Sequence, residues 1–139
     1  RRAGGIPPAA SVRCRVAAGL MLVHASAIAA AAALAQLKGD VWWDGSAAWW
    51  LAAGQESPLV AVGGLYARTE YLMNLVTHAI PIFEITFAIG IWPAVTRQPL
   101  ARAGLVAWPL AGALAGAPLW GLAVATLGIP AALQPPGGR

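Results

Sequence analysis

Charged residues are scarce in this sequence. Only 10% of its 139 residues are Asp, Glu, Lys or Arg, whereas 59% are hydrophobic and the mean hydropathy is +0.67. Soluble domains carry about 25% charged residues, so this deficit excludes an ordinary soluble surface and favours an integral membrane protein. The lipid bilayer is the expected partner, and the expected localisation is the cell membrane, in particular a bacterial inner membrane.

Cysteine and histidine are also nearly missing, which removes several classes of chemistry. The single cysteine, Cys14, cannot form an internal disulfide, and no cluster of residues has metal-ligand spacing. The net charge of +4 is spread without a basic helix face, so nucleic acid is not an expected partner. No strained nucleophile turn or glycine-rich phosphate loop is present. We therefore expect no metal and no cofactor.

Three long apolar stretches are present, and they predict an all-α integral membrane protein. The predicted spans cover about residues 16–37, 71–92 and 104–129 and form one transmembrane bundle within a single domain, 1–139. A cleaved signal peptide ending before Gln36 is the alternative for the first stretch, although its apolar run is longer than usual. In the third stretch, Gly112 and Gly116 have the spacing that lets helices approach closely, and Pro109 and Pro118 interrupt the apolar run.

The arginines indicate an orientation, because Lys and Arg near the spans favour the cytoplasmic side. Arginines precede the first span and separate the second from the third, whereas segment 38–70 holds more acids than bases. We therefore expect a multi-pass protein with a cytoplasmic N-terminus and an outer loop at 38–70. The arginines that carry this argument are Arg1, Arg2, Arg13, Arg15, Arg97 and Arg102.

Tryptophan is concentrated in the outer loop, in "GDVWWDGSAAWW" at residues 39–50. Indole rings favour the headgroup layer, where the ring is half in lipid and the N–H stays hydrated. Asp44 or Ser46 can cap a short helix at about 46–53, with Gly54 just after it. The block predicts a short interfacial helix or re-entrant segment, with Trp43 and Asp44 as candidate binding residues.

Polar residues form one stripe inside the second span. Asn74, Thr77, His78 and Glu84 fall within about 120° on a helical wheel. A carboxyl within a membrane is costly and often marks a functional site, so all four are candidate binding residues, with Glu84 and His78 as catalytic candidates. A structural role is the competing interpretation: Glu84 would then tie the helix to a neighbour, for example through His24 of the first span.

The Trp block, "NLVTHAIPIFEITFAIGIWP" and "TRQPLARAGLVAW" together resemble the HTTM (horizontally transferred transmembrane) family, which contains the membrane part of vitamin K-dependent gamma-carboxylase. The resemblance covers about residues 16–129. It implies that the chain is the C-terminal part of a longer domain with further N-terminal spans, as its start at Arg1 also suggests. Two chemically capable family positions differ, however: Gln36 stands where the family has a lysine before Leu37, and Trp108–Pro109 stand where it often has a histidine.

Three functions follow from these features. A non-catalytic membrane scaffold, binding other membrane subunits or the missing N-terminal spans, is favoured because the two family positions have lost their chemistry. A membrane enzyme of carboxylase-like or quinone-linked type would use Glu84 and His78. A carrier for a small solute is the third possibility, but such proteins usually show paired repeats or broken helices in matching halves, and the three spans are unlike one another.

Overall fold

The computed structural model describes residues 12–54, 62–115 and 117–133, and within these ranges the chain is helical, with no strand. Four longer helices form a bundle, and three short ones lie between the first two of them. The helices are α1 (Val12–Gln36), α2 (Asp40–Trp43), α3 (Ala47–Ala53), α4 (Gly63–Tyr66), α5 (Glu70–Gly90), α6 (Ala94–Leu114) and α7 (Pro118–Ala132).

Helices α1 and α5 match the first two predicted spans, and both are long and apolar enough to cross a membrane. They run antiparallel, as two contacts show. The Ser26 hydroxyl of α1 donates to the carbonyl of Ala88, near the end of α5, over 2.8 Å, and it accepts from the Trp92 indole over 3.1 Å. Gln36, the last residue of α1, lies beside Glu84, further back along α5. The two helices therefore overlap only in part.

The third predicted span is wrong as a single helix. Residues 104–129 are divided between α6 and α7, which fold back on each other as a helical hairpin. Pro118 begins α7, where its missing N–H costs nothing, and Ala117 before it is non-helical (φ −124°, ψ 59°). The apolar pattern predicts that Pro118 interrupts a single helix, whereas it marks the start of a second one.

Glycine allows the hairpin to close. A Cβ atom on Gly121 would lie 2.2 Å from the carbonyl oxygen of Trp108, and one on Gly112 would lie 3.0 Å from the Cα of Gly121. Gly112 therefore lies against the carbonyl oxygen of Ala117, at 2.7 Å from such a Cβ, and against Gly121 of the facing helix. Gly116, the second glycine of the predicted spacing, lies outside the described residues.

Two arginines bind the ends of neighbouring helices. Arg97 donates to the carbonyls of Ile91 and Trp92, just past the end of α5, and Arg102 donates to the carbonyl of Ala132 at the end of α7. A guanidinium group there satisfies carbonyls that lack an intrahelical partner and opposes the negative end of the helix dipole. We call this the arginine end of the bundle; Arg13 also lies toward it, because α1 runs antiparallel to α5.

In α1 and α7, most of the larger apolar side chains lie on the outside and most of the buried residues are alanine or glycine. In α1, Ala25, Ala29 and Ala33 are buried, whereas Leu20 and Leu34 are exposed. The same inversion recurs in α7, where Gly121, Ala125 and Gly128 are buried and Leu119, Leu122 and Ile129 are exposed. Large side chains fill the interior elsewhere: Phe87, Ile91 and Trp108 are fully buried, and Trp108 packs against the rings of Phe83, Phe87 and Trp120.

Candidate functional site

The Trp block folds as a helix–turn–helix that packs on the first half of α5. Helix α3 matches the predicted helix at about 46–53, but α2 before it was not expected. Trp42 and Trp49 are half-buried against the apolar cluster formed with α5, whereas Trp43 and Trp50 are 67% and 61% exposed. The four indoles therefore divide into one pair that packs inward and one pair that faces outward.

Asp44 organises the turn between α2 and α3 rather than a ligand site. It accepts hydrogen bonds from the hydroxyl of Ser46, over 2.6 Å, and from the Ser46 backbone N–H, over 2.8 Å. These bonds hold the pKa of Asp44 below its usual value, and the bond from the hydroxyl has the larger effect. Capping was predicted for this pair, but the Ser46 side chain caps no helical N–H of α3, and Gly54 has an ordinary helical φ of −74°.

Among the described residues, Gly45 alone has a positive φ, +83°, and this backbone conformation favours glycine. A Cβ atom there would lie 1.8 Å from Oδ1 of Asn74 and 3.4 Å from Cε1 of His78. The turn therefore sits directly on Asn74 and His78 of α5. Asn74 and His78 lie on the same face of α5, and the turn packs against that part of the face.

Thr77 fastens the turn to α5. Its side chain is fully buried, and its hydroxyl donates to the carbonyl of Gly45 and accepts from the backbone N–H of Ala48, each over 3.0 Å. One hydroxyl thus satisfies two backbone groups on either side of the start of α3. Thr77 is a structural residue in this arrangement.

Thr77→Val is expected to lower the free energy of unfolding by about 2–4 kcal/mol, because it leaves a buried carbonyl and a buried N–H unpaired at about 1–3 kcal/mol each. Thermal unfolding in detergent micelles measures the change. Thr77→Ser, which keeps the hydroxyl, is the control and should lose much less. Equal stability of the Val and Ser variants would show that this hydroxyl does not fasten the turn.

Glu84 lies in the interior of the bundle, 1% exposed, and neither of its carboxyl oxygens has a hydrogen-bond partner in the described structure. The Gln36 side chain lies beside the carboxyl, yet Oε1 of Gln36 is itself buried and unpaired. The proposed tie to His24 is absent, since His24 is exposed and its Nδ1 bonds the carbonyl of Leu20 in its own helix. Among the described residues, Glu84 therefore has the Gln36 amide beside it and no charged partner.

Glu84→Met is expected to raise the free energy of unfolding by about 1–2 kcal/mol, because an unpaired buried polar group is replaced by an apolar one of similar length. Glu84→Gln, which keeps a polar group in the same place, should change stability little. Thermal unfolding of both variants beside the wild type provides the comparison. A Met variant less stable than wild type would mean that Glu84 makes favourable interactions after all.

A groove of about 270 Å³ opens between the end of α1, α2 and α5. Its two polar lining residues are Gln36, which also lies beside Glu84, and His78. His78 Nδ1 is 2.8 Å from the carbonyl oxygen of Asn74, so Nδ1 carries a proton and donates it to that carbonyl. The apolar walls are Leu37, Trp42, Trp43, Pro81, Ile82 and Ile85.

The predicted site residues therefore separate into two groups. Asn74, Thr77, His78 and Asp44 build or contact the turn, and His78 shares the groove with Trp43. Glu84 lies behind the groove, next to Gln36, and no hydrogen bond joins it to His78. Within the described ranges, no three His, Cys, Asp or Glu side chains gather where they could hold a metal ion.

Of the groove residues, Trp43 and His78 were predicted as site residues, whereas Gln36, Trp42 and the aliphatic walls were not. Gln36 was noted only as a lost lysine, and Trp42 was placed with the interfacial aromatics. Trp108, at the position where the resemblance expected a histidine, fills the core, and its indole N–H has no hydrogen-bond partner. It therefore has no chemical role in the groove.

Comparisons with known proteins identified no relative with which this geometry could be compared. No family model matches the chain, and neither a curated protein nor a solved structure matches it. The resemblance to HTTM proteins therefore stays a prediction from the Trp block and the second apolar stretch.

Proposed function

We propose that this chain is an integral membrane protein whose bundle acts as a non-catalytic scaffold, with its outer apolar faces against lipid and neighbouring membrane helices. One observation carries the proposal. Large side chains such as Leu20 and Leu34 cover the outside of α1, while its buried face consists of three alanines and Leu22. A surface helix of a soluble protein has a polar outer face, whereas membrane helices pack through small residues.

The charges support the orientation in this proposal. The arginine end carries Arg97 and Arg102, with Arg13 and Arg15 at the start of α1. Around the other end, the described residues Lys38 and Arg68 are accompanied by three acids, which are Asp40, Asp44 and Glu70. The positive-inside rule then places the arginine end, and the start of α1, in the cytoplasm.

Catalysis is not part of the proposal. An enzyme using Glu84 and His78 needs both side chains at one substrate, yet Glu84 is buried in the bundle while His78 is exposed and bonded to its own helix. Gln36, beside Glu84, has an amide that cannot serve as a general base. A scaffold in which the groove and Glu84 have no acid–base task fits this geometry best.

We expect a cysteine at the start of α5 and one at the start of α6, just past the end of α5, to react from opposite sides of the membrane. Tyr71 and Val95 suit the test because they are 90% and 81% exposed. In a Cys14→Ala background, a membrane-impermeant maleimide added to intact cells should label Tyr71→Cys and should label Val95→Cys only after the membrane is opened. Labelling of both in intact cells would contradict a spanning α5, and the reverse pattern would contradict the orientation.

A further inference from the structure

The groove between the end of α1, α2 and α5 has an almost wholly apolar surface. Gln36 and His78 belong to its lining, but Oε1 of Gln36 is buried, and the accessible wall is carbon almost throughout. Water in such a groove would find few polar partners, whereas hydrocarbon would make dispersion contacts with every wall. The lining therefore favours an apolar occupant.

The groove runs lengthwise along α5. Its α5 wall is one helical face, because the lining residues are spaced three, four and seven positions apart, namely His78, Pro81, Ile82 and Ile85. The first and last of these residues are about 10 Å apart along the helix axis. Membrane helices are tilted by only about 20° on average, so in the proposed membrane location the groove lies nearly parallel to the lipid chains.

The size of the groove limits what it can hold. Its volume is about 270 Å³, whereas one helical turn with its side chains, about 10 Å wide and about 5.4 Å long, occupies roughly 400 Å³. A helix of a second copy or of another membrane protein therefore does not fit inside the groove. A single hydrocarbon chain is thinner than a helix and fits along its length.

The rim of the groove carries one charge of each sign. Lys38 directly follows Leu37 of the wall, and Asp40 begins α2, which contributes Trp42 and Trp43 to the wall. Lys38 and Asp40 are both exposed. A phosphate group is complementary to Lys38 and an ammonium group to Asp40, and the headgroup of a zwitterionic phospholipid supplies both. The indole rings of this block also favour the headgroup layer.

We propose that the groove binds one acyl chain of a zwitterionic phospholipid, with the phosphate of that lipid at Lys38. This inference rests on the membrane location proposed above. The chain packs between the indole of Trp42 and the side chains of Ile82 and Ile85, which would otherwise lack contacts on that side. Because a lipid chain is equally apolar in the bilayer, the preference for the groove comes from packing and from the headgroup, and it is severalfold in size.

The test is native mass spectrometry of the full chain, released from detergent micelles that contain increasing amounts of a phosphatidylethanolamine. We expect one lipid to bind at least about fivefold more tightly than the next. Ile82→Trp, which fills the groove with an indole ring, should remove this preference, and Lys38→Gln should weaken binding of the first lipid by about threefold. Glycerophosphoethanolamine, the same headgroup without acyl chains, should not bind.

Ile89→Trp is the matched control, because Ile89 also lies on α5 and is 71% exposed, against 63% for Ile82, but does not line the groove. It should keep the preference for one lipid. Should Ile82→Trp fail to fold, Ile85→Trp narrows the same wall and should give the same loss. Equal binding of successive lipids, an equal loss in Ile89→Trp, binding of glycerophosphoethanolamine, or a dimer that Ile82→Trp dissociates would overturn this inference. The cysteine-labelling test of the proposed function would be unaffected by any of these results.

Discussion

Gly45→Ala is expected to lower the free energy of unfolding by about 3 kcal/mol, or to prevent folding of the turn altogether. The φ of +83° is one that L side chains rarely adopt, and the added Cβ would overlap Oδ1 of Asn74. Relief of either problem moves the turn off α5 and breaks the bonds of Thr77 to Gly45 and Ala48. Thermal unfolding in detergent measures the loss.

The matched control for this substitution is Gly19→Ala in α1. A Cβ on Gly19 would meet nothing within 4 Å, and Gly19 lies within a helix. Alanine there should stabilise the helix by about 0.5–1 kcal/mol. If Gly45→Ala were as well tolerated as Gly19→Ala, the turn would not have the left-handed conformation or the close contact with α5 described above.

Gly121→Ala is expected to open the α6–α7 hairpin and lower the free energy of unfolding by about 3 kcal/mol. The new Cβ would lie 2.2 Å from the carbonyl oxygen of Trp108 and 3.1 Å from the Cα of Pro109. Both are backbone atoms, so the contact cannot be relieved by a change of rotamer. The helices must move apart, and the buried ring of Trp108 then loses packing against Trp120.

Gly128→Ala tests the same helix without the clash. Its Cβ would lie 3.7 Å from the carbonyl oxygen of Ala101, an ordinary contact. We expect this variant to be at least as stable as the wild type, since alanine also favours the helix. A Gly121→Ala protein that unfolds at the same temperature as Gly128→Ala would contradict the hairpin and restore the single long span at 104–129.

The elements that were predicted correctly are those that local pattern determines. Helices α1 and α5 follow from long stretches of apolar residues. Helix α3 was predicted from a cap at Asp44 or Ser46, and the helix is present although the Ser46 side chain does not cap it. Hydropathy cannot distinguish one long crossing from a hairpin, because residues 104–129 are apolar in either case. Proline disrupts the interior of a helix but is favoured in its first turn, and Pro118 lies in the first turn of α7.

The contacts of the site could be predicted only in part, because they join residues far apart in the sequence. A helical wheel places Asn74, Thr77 and Glu84 on one stripe, but it does not show which element covers each part of that stripe. The turn at Gly45 covers Asn74 and Thr77, whereas Gln36 lies beside Glu84. The spacing of Gly112 and Gly116 predicts the close approach of another helix, but it does not show that this helix is α7, which contacts Gly112 through Gly121.

The surroundings of α1 give the most direct test of the central claim, which is that the exposed apolar faces of this bundle contact lipid. Spin labels at Leu20, Val23 and Leu34, all exposed on α1, would be examined in vesicles containing the full chain. Lipid contact predicts that molecular oxygen relaxes the three labels strongly and that a water-soluble nickel chelate has little effect, because oxygen concentrates in hydrocarbon. Strong relaxation by the nickel chelate at all three positions would place α1 in water and contradict the account.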